Sequence, residues 1–380
     1  MTTPDTLRCW ADIHLSALSF NLRRFRLLIS KSTEIMGVVK ADAYGHGLFT
    51  VARALAHQRI HLLAVANITE AAIASCAAPR ADILLLSPLL PSEFSEIPRH
   101  PRWIPTLSNL AEARLLEHMA IRQRKKVSVH VKLDTGMGRL GEFPLETLKL
   151  LRFIENSLHL RATGLYSHLS SADSSARESL LQWKHFQSLS HCAEAVGYSI
   201  PPLHLQNSTG LLRIPATQEL TAIRPGLALY GVTDRPDLWK KRFGKGALQG
   251  VLSWHTRIGL IRHFPRGATL SYDRTFKTRA PMRVAILCAG YADGISRKLS
   301  NRGKVLIHGH RCPIVGRVTM DMILADVTRV PSAKWGDTAT LLGKNGSGEI
   351  TAHEVAQWAE TNSYEILCNI SKRVPRIVRN

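Results

Sequence analysis

Between residues 30 and 232, short apolar runs alternate with longer segments in which apolar residues recur every three or four positions. The runs are "IMGVV", "HLLAVAN", "DILLLSPL", "RWIPTL", "VSVHVKL", "LRATGLYSHL", "PLHLQN" and "AIRPGLALYG", each of strand length. The intervening "LFTVARALAHQ", "NLAEARLLEHM", "LETLKLLRFIENS" and "ESLLQWKHFQSLSHCAEAVG" carry helical periodicity. Eight such units predict a (β/α)8 barrel rather than a doubly wound sheet, because none carries a G-x-G-x-x-G turn. Beyond about residue 235 the pattern changes to short strands with turn residues, such as "RVAILCAGY" and "KVLIHGHRCPIVGRVTM", with one helix in "TAHEVAQWAETN". We expect a barrel over 1–235 and a mostly-β domain over 236–380, the boundary lying in "TDRPDLWKKRFGKGALQG".

In a barrel of this kind the loops at the carboxyl ends of the strands converge on one mouth. The unusual polar residues gather there: Lys40 ends the first barrel strand, Lys132, Asp134 and Arg139 follow the fifth, and His168 follows the sixth. His204, Asn207 and Ser208 end the seventh, and Arg224 lies in the eighth. A lysine closing a buried strand commonly snorkels to water. Convergence of polar groups from five strands gives its amine a different task. An amine whose pKa falls on desolvation attacks carbonyls, and the carbonyl here could belong to a sugar-like substrate or to pyridoxal phosphate. "QNSTG" favours the second, since it offers backbone N–H groups and a hydroxyl at an expected helix start, with "RPG" bending the chain nearby.

Composition adds three limits. The chain has 380 residues, 45% hydrophobic, with 50 Lys+Arg against 29 Asp+Glu and a formal charge of +21. Its basic runs, "RQRKK", "WKKRFGK" and "KRVPRIVR", lack interleaved aromatics and any finger or zipper pattern, so nucleic acid is not the expected partner. The six cysteines are dispersed without a C-x-x-C pair, which suits a reducing compartment and calls for neither a disulfide framework nor a metal. With no apolar leader and no run of roughly 20 apolar residues, the expectation is a cytoplasmic protein without a membrane partner.

"VVKADAYGHG", "VKLDTGMGRLG", "YSHLSSAD", "HLQNSTG", "RPGLALYG", "LSYDRTF", "GYADG", "GRVTMD" and "RVPR" occur in an order and spacing that resembles the alanine racemases over nearly the whole chain. The resemblance implies a pyridoxal-phosphate enzyme of fold type III, a homodimer with shared active sites, that interconverts L- and D-alanine by two-base proton transfer on an external aldimine and supplies D-alanine for peptidoglycan. It implies that Lys40 carries the cofactor and serves as one base, and that Tyr272 is the opposite base, arriving from the other subunit. Tyr44, Asn207, Ser208, Gly226 and Tyr364 match phosphate contacts; Arg224 matches the arginine facing the pyridine nitrogen, with His204 as its partner. His168 matches the histidine beneath the catalytic tyrosine. Arg139 matches the residue that grips the substrate carboxylate, Met320 one whose backbone meets it, and Tyr291 a residue of the narrow substrate entrance. Lys132 falls where many members carry a carbamylated lysine.

The chemistry asks for such a set independently. Inverting a stereocentre by removing and returning a proton needs a group on each face of the carbanion. An arginine at the ring nitrogen, in place of a carboxylate, keeps that nitrogen unprotonated and limits delocalisation into the ring. Three other readings share parts of the pattern: racemisation of serine or a broader range of amino acids, a decarboxylase of the same barrel class, and a non-enzymatic pyridoxal-phosphate carrier, against which the long β domain with Tyr272 argues.

Overall fold

A computed structural model of the protein describes residues 6–195, 197–214 and 217–379. The chain opens with β1 (Cys9–His14) and α1 (Leu15–Arg26) and then enters a closed barrel. Its parallel strands are β2 (Glu34–Val38), β3 (Leu62–Val65), β4 (Asp82–Leu85), β5 (Trp103–Leu107), β6 (Val127–Lys132), β7 (Leu160–Tyr166), β8 (Leu203–Asn207) and β9 (Leu220–Arg224). The last closes on the first, with Glu34 beside Ala222 and Ile35 beside Ile223. These strands correspond to the eight apolar runs, and they read as runs because a parallel sheet covered by helices is apolar on both faces.

The connecting helices are α2 (Lys40–Gly45), α3 (Leu48–His57), α4 (Ile68–Ala77), α5 (Leu110–Arg122), α6 (Pro144–Glu155) and α7 (Ala176–Ala195). Asn67 and Asn109 cap α4 and α5 by accepting the N–H groups of Glu70 and Glu112, each of which also reaches back with its carboxylate to the chain before the cap. The expected boundary segment is itself ordered. It folds α8 (Pro236–Phe243), whose Trp239 is buried against Phe25 of α1. Buried Asn21 fastens the same segment by donating to the carbonyls of Leu229 and Gln249 and accepting from the Gln249 N–H.

The second sheet is built on the long strand β10 (Leu252–Phe264). Around it are the hairpin β11 (Thr269–Leu270) and β12 (Phe276–Lys277), then β13 (Met282–Leu287), β14 (Lys304–Ile307), β15 (His310–Pro313), β16 (Ile323–Asp326), β17 (Thr338–Asn345) and β18 (Gly348–Ile350). Helices α9 (Ala352–Ala359) and α10 (Ser363–Cys368) and strand β19 (Arg376–Arg379) complete the chain. β1 does not join the barrel. It pairs antiparallel with β10 and parallel with β19, so the two ends of the chain share one sheet, and Arg379 reaches Asp12 across it at 2.9 Å.

Candidate active site

Lys40 sits where β2 leaves the barrel, and the backbone after it is unusual. Ala41, Asp42, Ala43 and Tyr44 all have φ of 53°, a full turn of left-handed helix made without glycine. Such a turn brings each Cβ against the following carbonyl, at a cost of roughly 1–2 kcal/mol per residue, and persists only if its surroundings over-determine it. They do. Glu70 accepts the Ala41 N–H at 2.7 Å, Asp42 accepts the Leu48 N–H at 2.7 Å, and Arg376 donates to the Gly45 carbonyl at 2.9 Å. Buried His46 turns Nδ1 onto the carbonyls of Ala43 and Tyr44 at 3.0 and 2.9 Å. Burial lowers the pKa of the Lys40 amine, Arg139 lowers it further, and Glu70 opposes them.

The floor of the mouth is a cluster of nitrogen bases around Arg224. Its Nη1 lies 2.6 Å from His204 Nδ1, and Nη2 donates to the Ser167 carbonyl at 2.7 Å and approaches His168 Nδ1 at 3.5 Å. His204 Nε2 continues to His130 Nδ1 at 3.0 Å. Burial holds His168 and His204 well below the usual histidine range and His130 at about 3, with the Arg224 charge adding to each, so all three are neutral. Tyr166 supplies what counter-field there is. Its ring stacks on His204 at 4.7 Å, and the Arg224 guanidinium and the Lys132 amine lie 4.9 and 5.2 Å from its centroid. Its hydroxyl is held by Thr106 at 2.8 Å. Burial, then Arg224, Arg139 and Lys40, push the Lys132 amine down to about 7.

Between β8 and β9 lies a pocket lip of backbone. Ser208 Oγ accepts the N–H groups of Gly226 and Ala228 at 3.0 and 3.3 Å, and Asn207 Oδ1 accepts that of Gly210 at 2.8 Å. The helix start expected in "NSTG" is only a three-residue 3-10 turn, Gly210–Leu212, too short to carry a helix dipole, so N–H groups and hydroxyls provide the polarity here. A Cβ at Gly226 would stand 2.5 Å from the Tyr44 hydroxyl, and Tyr44 in turn meets the Tyr364 ring of α10 at 5.9 Å. Burial raises the pKa of both phenols, which stay protonated donors. Amine, hydroxyls, cation and the space left by a glycine without Cβ therefore fit a phosphate-bearing aldehyde. Arg139 is exposed at the rim, in a loop shaped by Asp134, which accepts the N–H groups of Gly136, Met137 and Gly138.

Three of the sequence-derived residues lie elsewhere. Tyr272, Tyr291 and Met320 gather on the second domain, where they are 70%, 44% and 54% exposed. The loops carrying Tyr291 and Met320 are bonded together, Tyr291 N–H to the Thr319 carbonyl at 2.9 Å and Ala292 N–H to the Met320 carbonyl at 3.0 Å. The Tyr272 turn is tied to them through Ser271 Oγ donating to the Arg317 carbonyl and through the Asp273–Arg317 ion pair. Among the described residues, no hydrogen bond, ion pair or ring contact joins Tyr272 to Lys40 within one chain. Sequence reasoning gave no role to His46, Glu70, His130, Tyr166 or Arg376. The signal for His130 was available, since it is the one ionisable side chain inside the apolar run "VSVHV".

Comparisons with known proteins converge on one group. The model of the alanine racemase N-terminal domain matches residues 13–234, and that of the alanine racemase C-terminal domain matches residues 251–378. The chain is 40% identical to the alanine racemase of Methylacidiphilum infernorum, over 99% of this chain and 94% of that one. It is 37% identical to that of Halothermothrix orenii, over 98% and 97%. Among solved structures it superposes on the alanine racemase of Clostridium difficile 630 with a TM-score of 0.91 at 31% identity, covering 98% of this chain and 96% of that one. The Bacillus anthracis alanine racemase with bound L-Ala-P gives 0.90 at 30% identity, covering 100% and 96%. With both domains matched and the similarity running nearly end to end, the chain belongs to the alanine racemase family.

Proposed function

We propose that this protein interconverts L- and D-alanine, with pyridoxal phosphate held on Lys40 and with Tyr272 of a second subunit completing the site. The observation that carries the reading is the barrel-mouth cluster: a desolvated amine at the end of a buried strand, set beside a buried arginine whose partners are neutral histidines and carbonyls. Bound there, the cofactor supplies an electron sink that makes the α-proton of an amino acid removable. Lys40 then holds or returns a proton at the α-carbon on one face, burial and the Arg139 charge making its amine easier to deprotonate than a free lysine. Tyr44, Ser208, Asn207, Gly226 and Tyr364 hold the phosphate. Arg224 donates toward the ring nitrogen without giving up a proton, and Arg139 grips the substrate carboxylate.

Tyr272 serves the opposite face. Its exposure, shared with Tyr291, Met320 and Met322, supports a homodimer in which the second domain of one chain covers the mouth of the other. His168 lies below that phenol, while Tyr291 and the backbone at Met320 narrow the space for a side chain to that of alanine. Lys132 takes up carbon dioxide: its amine, neutral above about pH 7, forms a carbamate with release of one proton, and the new anion faces Arg139 and Arg224. The division at residues 235 and 236 separates the half that carries Lys40 from the half that supplies the Tyr272 phenol and Tyr364. The product D-alanine serves peptidoglycan synthesis in the cytoplasm; among the described residues no helix is long and apolar enough to cross a membrane.

The test is incubation of holoenzyme with L-alanine in deuterated water. Optical rotation decays to zero as deuterium enters the α-carbon; rotation that persists, or decay of serine rather than alanine, contradicts the assignment.

A further inference from the structure

The positive charge has no role in that chemistry, and it is not evenly spent. In the last segment of the chain Arg373 is bound to Asp293 and Asp321, Arg376 to four carbonyls and Arg379 to Asp12. Lys298 and Arg302 share Glu360. The outer face made by α1 and α8 is different. α1 contains no acidic residue and ends in Arg23, Arg24 and Arg26; α8 ends in Lys240, Lys241 and Arg242, with Lys245 just beyond, and its one acid, Asp237, is taken by Arg235 at 2.6 Å. Among the described residues none of these seven cations has an ion pair. The two helices are locked side by side, Phe25 on Trp239 at 5.3 Å and the Arg24 guanidinium over Phe243 at 4.9 Å, so their charges form one surface.

That surface also has an apolar component. A groove of about 360 Å³ is lined by Phe20, Arg23, Arg24, Arg26 and Leu27. Leu27 is 66% exposed, and the guanidiniums of Arg23 and Arg24 lie 5.9 and 4.7 Å from the Phe20 centroid, so the cationic heads stand around an apolar floor. Arg24 Nε, at its edge, has no hydrogen-bond partner.

We propose that the α1–α8 face binds the anionic surface of a lipid bilayer, with Leu27 and the groove taking up apolar lipid and the seven cations meeting phosphate headgroups. Polyanions such as nucleic acid match the charge but gain nothing from an exposed leucine above an aromatic floor, whereas a bilayer interface rewards both components at once. Binding of this kind needs no spanning segment. It departs from the sequence expectation of no membrane partner, which rested on the lack of one. The inference is independent of the racemase reading, since no residue of the face belongs to the barrel mouth.

The experiment is cosedimentation of the cofactor-loaded protein with vesicles of phosphatidylcholine alone and of phosphatidylcholine with 30% phosphatidylglycerol, at low and high salt, a contrast set by the screening of surface charge over about 10 Å at 0.1 M. The expected result is at least about tenfold stronger partition onto the anionic vesicles, weakened about tenfold or more by high salt. The R23E/K240E/K241E variant loses that partition with racemisation unchanged, Leu27→Ser weakens it several-fold at constant charge, and R122E/K125E/K126E, with the same charge change at the end of α5 and in the turn after it, retains it. Equal binding to neutral vesicles, equal loss in both triple variants, no effect of Leu27→Ser, or a DNA duplex that outcompetes anionic vesicles at the same salt would each overturn the proposal.

Discussion

Arg224 Nη1 lies 2.6 Å from His204 Nδ1, and this contact sets the protonation of the whole floor of the mouth. A guanidinium has no lone pair to offer, so Nδ1 must accept; the His204 proton then sits on Nε2 and is donated to His130 Nδ1 at 3.0 Å. One arginine thereby fixes the tautomers of two buried histidines, and they in turn fix the arginine. Replacing His204 by Phe keeps a ring against Tyr166 but leaves the buried guanidinium short of an acceptor. We expect a stability loss of about 1–3 kcal/mol, read from urea unfolding.

The neutral histidines predict a dependence of stability on acid. Burial holds His46 and His255 at about 4 and His130 at about 3, against an ordinary value of 6.5. Between those limits the unfolded chain binds more protons than the folded one, so the unfolding free energy rises with pH. Urea midpoints should fall steadily as pH drops from 6.5 toward 4. His130→Phe should flatten part of that slope.

Lys132 extends the same argument to the alkaline side. With its amine at about 7 in the fold and 10.5 when free, stability gains from this group as pH rises through that window, and none is gained below it. The same neutral amine predicts a carbamate. Protein incubated with 13C-bicarbonate should show one carbamate carbon resonance that is absent from Lys132→Ala.

Gly226 tests the phosphate cradle. A methyl there would meet the Tyr44 hydroxyl at 2.5 Å, and the position lies between the Ser208 hydroxyl and the ring. Gly226→Ala should weaken cofactor retention by about tenfold, or 1.4 kcal/mol, in equilibrium titration. Gly246→Ala, with no atom within 4 Å, should leave it unchanged, although φ of 73° costs some stability there.

How much of this was readable from the sequence depends on how local the cause is. Each barrel strand lies in an apolar run, and those of β2, β6, β8 and β9 lead into polar residues, so strand order, the mouth and Lys40, Arg224 and His204 could be read directly. β1 could not: its partners β10 and β19 lie more than two hundred residues away, and six residues of mixed pattern carry no mark of a distant pairing. The left-handed turn was invisible for the opposite reason. "ADAY" has no glycine, and the conformation is imposed by His46 just after the turn and by Glu70 and Arg376 from two other segments. Tyr272 read as a motif residue, but its 70% exposure in a single chain needed the fold.

The central claim is that Lys40 of one chain works with Tyr272 of another, and mixing two inactive variants tests it most directly. Lys40→Ala and Tyr272→Phe are each prepared alone, then combined and allowed to exchange subunits. If the two groups meet across the interface, each hybrid dimer regains one intact site, and random exchange restores about a quarter of the wild-type sites. Recovery to that level, with each parent inactive, is the predicted result; a mixture as inactive as its parents would contradict the account.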